Sequence, residues 1–233
     1  MAIVGLQKLT LLDYPGKVAC TVFLSGCNFQ CPFCHNSGLL DASQAPQMAQ
    51  EEFFGFLQDR KGLLDAVCVS GGEPTLFPGL QALLERIKAL GYLVKLDTNG
   101  SRPEVLKALV RQNLVDYVAM DVKNSPDLYA KTTGVEVRLQ DVEESLRFLL
   151  EGNIDYELRT TVVSQLHNAD AFTRMGQWLA SLVPGKKPKK LFLQTYVDRE
   201  SILAAGLTAP ESAQMQRYLQ LLTPFAEQIA LRG

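Results

Sequence analysis

The chain has 233 residues, 47% of them hydrophobic, and 23 basic against 25 acidic side chains give a formal net charge of −2. That length and apolar content suit one large domain with a substantial core. The charge balance excludes a strongly basic nucleic-acid binder or a polybasic membrane-surface protein. No apolar run approaches the roughly 20 residues that cross a bilayer, and the first residues lack a signal-peptide pattern, so a cytoplasmic protein is expected.

Residues 1–17 read as an N-terminal extension or hairpin. Asp13-Tyr14-Pro15-Gly16 is a turn signal, and 6–12 and 18–24 can pair across it. The apolar run 18–24 leads into Cys27-Asn28-Phe29-Gln30-Cys31-Pro32-Phe33-Cys34-His35-Asn36. Strands and helices then alternate. Residues 66–70 form a short apolar strand ended by Gly71-Gly72, and 79–90 carry Leu80, Leu83, Leu84, Ile87 and Leu90 at helical spacing with Gly91 as a stop. Residues 93–96 are the next strand, Pro103 starts a helix over 103–112, and 117–120 are a strand. The stretch 139–150 is an amphipathic helix, 156–163 a strand, 169–182 a helix and 191–193 a final strand. The last helix opens at Thr208-Ala209-Pro210-Glu211, a capping-box pattern. Six strand–helix units from Val18 onward predict an α/β fold, a parallel sheet covered by helices in a single domain.

The five cysteines are odd in number and clustered, which favours metal or redox chemistry over a disulfide framework. Cys27, Cys31 and Cys34 are spaced C-x3-C-x2-C. Three thiolates leave one coordination position open, where closed structural sites use four. An iron–sulfur cluster is the preferred reading. Zinc with His35 as fourth ligand and a thioredoxin-like dithiol at Cys31 and Cys34 are the competitors, although adjacent ligands Cys34 and His35 crowd one tetrahedral ion. Cys20 and Cys68 sit in apolar strands and read as buried packing residues.

Active sites of parallel α/β sheets lie at the C-terminal strand ends. There the chain places the cysteines, Gly71-Gly72-Glu73, Asp97 and Asn99, Asp121 and Lys123, Arg159 with Thr161, and Gln194-Thr195-Tyr196. Residues two apart share a face, so Asp121 can pair with Lys123, and Glu157 can neutralise Arg159. His167 reads as a surface residue before a helix, and Tyr14 and the stretch 129–134 as packing and loop residues.

The cysteine run followed by Gly-Gly-Glu-Pro after the second strand resembles the radical S-adenosylmethionine (SAM) superfamily. Cys31-Pro32-Phe33-Cys34-His35-Asn36 is similar to the glycyl-radical-enzyme activases within it, and residues 6–17 are similar to the activating proteins of anaerobic ribonucleoside-triphosphate reductase. The resemblance implies a partial (β/α)6 TIM-like barrel, with 1–233 as one radical SAM domain whose barrel occupies 18–233. It implies a [4Fe–4S] cluster on Cys27, Cys31 and Cys34, with SAM chelating the fourth iron. By the same match Phe33 packs by the adenine, Gly71, Gly72 and Glu73 line the methionine amino group, Asn99, Asp121 and Lys123 hold ribose and carboxylate, and Arg159 faces the carboxylate. The implied activity is reductive cleavage of SAM to a 5′-deoxyadenosyl radical that takes hydrogen from a glycine of a partner glycyl radical enzyme, an anaerobic ribonucleotide reductase. A flavodoxin or ferredoxin would donate the electron, and no nucleic acid or membrane is involved. The alternatives are a radical SAM enzyme acting on a small molecule, like the deazapurine-forming synthases, and a non-catalytic zinc or Fe–S module.

Overall fold

The computed structural model describes residues 2–198 and 202–232. It is an α/β structure whose sheet runs β1 to β8 in chain order, β1 antiparallel to β2 and the strands from β2 to β4 and from β6 to β8 parallel. The chain divides into two compact units: one holds the residues up to Asn28, Gly38–Thr98 and Glu104–Val118, the other Phe29–Ser37, Asn99–Pro103 and Ala119 onward.

The first unit contains β1 (Ile3–Thr10), β2 (Ala19–Leu24), α1 (Gln50–Asp59), β3 (Ala66–Gly71), α2 (Leu80–Ala89), β4 (Leu93–Thr98), all but the first residue of α3 (Pro103–Arg111), and the start of β5 (Tyr117–Asp121). The expected hairpin is present, with Ile3 opposite Leu24 and Thr10 opposite Ala19. Its turn brings Tyr14 inward to pack on Ala19, Ala66, Cys68 and Tyr117. Cys20 and Cys68 are fully buried, and burial pushes both thiols up to about 12, so they stay protonated at neutral pH. α2 buries Leu80, Leu83, Leu84 and Ile87, the residues its 3.6-residue period predicts, each contributing roughly 2 kcal/mol of burial.

One buried charge in this unit departs from the apolar reading of 93–96. Thr21, Cys68 and Lys95 lie side by side across β2, β3 and β4. Lys95 is 1% exposed, and its ammonium pairs with Asp97. Interior lysines persist only when paired, so the two form one unit.

The second unit holds the rest of β5, α4 (Tyr129–Thr133), α5 (Leu139–Glu151), β6 (Asp155–Val162), α6 (Ala169–Leu182), β7 (Lys190–Thr195), α7 (Ser212–Leu222) and β8 (Gln228–Arg232). α6 starts where expected because Asn168 Oδ1 accepts the Ala171 N–H at 2.9 Å. α7 starts later than its Thr208 signal. Thr208 is engaged elsewhere: it takes Gln165 at its hydroxyl (3.0 Å) and gives its N–H to Gln165 Oε1 (3.0 Å). Glu211 and Gln214 form the capping box instead. β8 was not anticipated; its residues follow a helix and carry a short, partly exposed apolar run. Among the described residues no helix is long and apolar enough to cross a membrane.

Asp116 shows how the first unit closes its loops. Its carboxylate accepts Lys88 Nζ at 2.7 and 2.8 Å and the Val94 N–H, at the start of β4, at 2.7 Å. Asp116→Ala leaves a strand N–H and a half-buried ammonium unsatisfied, a loss of roughly 1–3 kcal/mol. The expected fall in Tm is about 2–8 °C by differential scanning calorimetry, with the native circular dichroism spectrum retained; an unchanged Tm contradicts the role given to Asp116.

Candidate functional site

In the first unit the sequence Gly71-Gly72-Glu73 leaves β3 directly against the end of β2. Gly72 N–H donates to Leu24 O at 2.9 Å and Glu73 N–H to Gly26 O at 2.8 Å. Gly71 has φ +130°, and a Cβ there would collide with the Leu24 backbone. A Cβ on Gly72 would collide with the Gly26 carbonyl and lie 3.1 Å from Cys27 Cβ. Both positions therefore require glycine, for conformation and for space. The contact fixes the backbone immediately before Cys27, whose own N–H donates to Leu40 O at 3.3 Å.

Glu73 is 1% exposed. Its Oε1 accepts the Thr75 N–H at 3.1 Å, the Thr75 hydroxyl, and the Thr98 hydroxyl at 2.7 Å. One carboxylate oxygen is thus committed to bracing the β3 and β4 ends. Asp97, which shares a face with Asn99 in the sequence reading, is paired instead with Lys95.

In the second unit residues 29–37 carry Cys31, Phe33 and Cys34. Cys34 N–H donates to Cys31 O at 3.0 Å, closing a turn. The turn is held from two sides: Gln30 N–H donates to Thr133 O at 2.8 Å, and Ala204 N–H donates to Pro32 O at 3.1 Å. Gly134 caps α4 with φ +71°, and a Cβ there would collide with the Gln30 carbonyl. The stretch 129–134, expected to be loop and packing, is thus the helix turn that carries the cysteine segment. His35 lies against Tyr196, ring centroids 5.9 Å apart. Asn99 is buried, and its Oδ1 accepts the Ser101 N–H at 2.9 Å in a turn after β4.

The charged centre of this unit is Asp121. Its Oδ2 takes Lys123 Nζ at 3.0 Å, as the sequence predicts, and its Oδ1 takes Arg159 Nε at 2.9 Å. Glu157 is 1% exposed and is gripped by both terminal nitrogens of Arg232, at 2.8 and 3.1 Å, an interaction invisible without β8. Burial opposes ionisation of Asp121, but Arg159 and then Lys123 outweigh it and hold the carboxyl down at about 2. Burial likewise works against the Lys123 charge, yet Asp121 first and Cys31 next raise its pKa. Burial pushes the Cys31 thiol up, and the Lys123 ammonium is the largest influence pulling it back. Cys34 is also raised by burial, eased by the Asn36 N–H and Lys123. Lys123 Nζ stands 6.0 Å from the centre of the buried Phe33 ring.

His167 corrects the sequence reading. It is 3% exposed rather than on the surface, because the turn before α6 folds it beneath Phe172 and onto the backbone after β5. Nothing in local composition signals this. Arg232 was missed for the same reason, since it meets Glu157 only through the return of β8; Lys95 pairs two residues along its own strand with Asp97.

The donor set fits an iron–sulfur cluster. None of the five cysteines is in a disulfide, and the two in the second unit lie beside a cation that favours thiolates. Among the described residues no three His, Cys, Asp or Glu side chains gather closely enough to hold a single metal ion. A cluster makes no such demand, since its cysteines bind different irons.

Comparison with known proteins adds the family. Residues 21–170 match the model of the radical SAM superfamily. A protein of Methanocaldococcus jannaschii named as a glycyl-radical enzyme activating enzyme is 35% identical over 167 residues, 70% of this chain and 68% of its own. The 7-carboxy-7-deazaguanine synthase of Thermococcus kodakarensis is 29% identical over 195 residues, 74% of this chain and 73% of its own. Streptococcus suis SuiB, in a crystal structure with its precursor peptide SuiA, shares the fold at a TM-score of 0.71 and 14% identity, covering 91% of this chain and 48% of its own.

The site geometry carries expectations of its own. Gly134→Ala forces a left-handed position and presses on the Gln30 carbonyl, so reconstituted iron and sulfide should fall well below wild type while the circular dichroism spectrum is kept; full cluster loading would show that α4 does not support the cysteine turn. Asp121 has a folded pKa below its unfolded value near 3.9. Its pairing therefore stabilises the protein fully above about pH 5, and that contribution, on the order of 2 kcal/mol, is lost as pH falls toward 2. The stability gap between wild type and Asp121→Asn in urea titrations should be wide at pH 7 and close toward pH 2; a gap independent of pH contradicts the ion-pair account.

Proposed function

Because this chain belongs to the radical SAM superfamily, whose members use a [4Fe–4S] cluster and S-adenosylmethionine, we propose that it is the activase of a glycyl radical enzyme, and that this enzyme is an anaerobic ribonucleoside-triphosphate reductase. The observation that carries the activase reading is the 35% identity to a named activating enzyme across 70% of this chain and 68% of that protein. The reductase is supported by residues 6–17, which resemble the activators of that enzyme.

Cys27, Cys31 and Cys34 would hold the cluster and leave one iron for the amino and carboxylate groups of SAM. Held by these cysteines, a reduced cluster would supply the one electron needed to cleave SAM to methionine and a 5′-deoxyadenosyl radical able to take the glycine hydrogen. The protein's part is binding and charge placement. From the first unit, Gly71 and Gly72 offer backbone groups unscreened by a Cβ to the methionine amino group, with Glu73 bracing that loop through Thr75 and Thr98. From the second unit, Lys123 and Arg159 both reach Asp121 at hydrogen-bond distance, and cations held in this way suit the SAM carboxylate. Phe33 offers an apolar face to the adenine, and Asn99 a polar group to the ribose. Residues 1–233 act as one radical SAM domain, and a flavodoxin or ferredoxin supplies the electron.

A second reading, a synthase acting on a small heterocycle, is favoured by the longer alignment with the deazaguanine synthase, 195 residues against 167. A module without catalysis is set aside by membership in an enzyme superfamily. The deciding experiment is anaerobic. The protein is reconstituted with iron and sulfide, reduced, and incubated with SAM and an anaerobic ribonucleotide reductase. A glycyl radical signal on the reductase by EPR, with 5′-deoxyadenosine formed and both lost in Cys31→Ala, is the expected result. Formation of 5′-deoxyadenosine with no radical on the reductase, and turnover of a deazapurine precursor instead, would move the second reading to the front.

A further inference from the structure

Lys123 stands two residues past the end of β5, where the strand ladder no longer serves its backbone. Side chains do so instead. Tyr129 OH accepts the Lys123 N–H at 3.4 Å, and Thr160 Oγ1 donates to the preceding carbonyl, Val122 O, at 2.7 Å. The next residue, Asn124, is 1% exposed and donates its amide to Thr132 Oγ1 and Leu166 O, both at 2.9 Å. The remaining group, the carbonyl of Lys123 itself, lies 2.9 Å from His167 Nε2.

The hydrogen bonds fix which nitrogen of His167 carries the proton. Val163 N–H donates to Nδ1 at 3.1 Å. Nδ1 also lies 3.3 Å from Val163 O, but that oxygen already accepts two shorter backbone N–H bonds, from Leu166 at 3.1 Å and His167 at 3.0 Å, which fill its two lone pairs. Nδ1 is therefore the acceptor, the proton sits on Nε2, and Nε2–H donates to Lys123 O. The ring is stacked on Phe172, and burial, opposed by its bond to the Lys123 carbonyl, lowers its pKa below the ordinary histidine value. One neutral tautomer thus joins the β6–α6 connection to a single backbone atom of the residue whose ammonium serves Asp121, Cys31 and Cys34.

We propose that His167 is a positioning residue: its Nε2–H holds the Lys123 carbonyl and so aims the Lys123 ammonium at Asp121 and the cysteine turn. The consequence for SAM rests on the reading above, in which Lys123 meets the SAM carboxylate. A packing role alone would be met by any ring of the same size, whereas this role needs a donor at the Nε2 position.

The test compares three variants of the reconstituted holoprotein. His167→Phe keeps the ring and loses both nitrogens, His167→Gln places an amide donor near Nε2, and His167→Asn reaches only the Nδ1 position. Two readouts are taken: SAM affinity, and acetylation of Lys123 followed by mass spectrometry, with the paired Lys88 as internal control. His167→Phe and His167→Asn should weaken SAM binding about tenfold, the order expected when one buried hydrogen bond is left unmade. Both should raise labelling of Lys123 and leave Lys88 unchanged, and His167→Gln should restore both readouts most of the way. If His167→Phe does not fold, the Gln and Asn pair decides. Unchanged Lys123 labelling in the Phe or Asn variant, or no difference between Gln and Asn, overturns the inference. A rise in Lys123 labelling with SAM affinity unchanged supports the positioning of Lys123 and overturns instead its assignment to SAM.

Discussion

Two half-buried cations meet at one carboxylate, and the second unit is arranged around that constraint. An ammonium and a guanidinium drawn away from water are costly unless paired, and Asp121 meets both at hydrogen-bond distance. The Lys123 ammonium in turn eases the ionisation of Cys31 and Cys34 against the effect of their burial. Glu157, on β6, is held by both terminal nitrogens of Arg232, whose guanidinium lies 3.7 Å over the Phe192 ring.

The first unit meets a different requirement, backbone proximity. The exit of β3 can rest on the exit of β2 only because Gly71 and Gly72 have no Cβ. That contact orients the chain entering Cys27. Glu73 illustrates how a motif residue serves two levels. Read by sequence it faces a ligand ammonium; in the structure one of its oxygens also ties Thr75 to Thr98. The same division holds across α4, where Gly134 has both a left-handed conformation and a neighbour, the Gln30 carbonyl, that excludes any larger residue.

Much of the fold was legible in the sequence because parallel strands buried on both faces write continuous apolar runs, and their covering helices write a 3.6-residue period. The helices over 80–89, 139–151 and 169–182, the hairpin at Asp13-Tyr14-Pro15-Gly16 and the Asp121–Lys123 pair were all readable this way. The late start of α7 was not, since Thr208 is a good cap until Gln165 engages it. Nor was the grip of Arg232 on Glu157, which needs the return of β8.

The sequence by itself determined the cysteine spacing, the glycines after β3, the strand-end charges and the family, because those features are local and each carries its chemistry in a few adjacent residues. The tertiary structure alone decided which charges meet and which way they point. His167, Glu157 and Arg232 owe their partners to strand pairing and to turns that bring residues 44 and 75 positions apart together. The physical reason is burial: once these polar groups leave water each must find a partner, and the strand register settles which one is within reach.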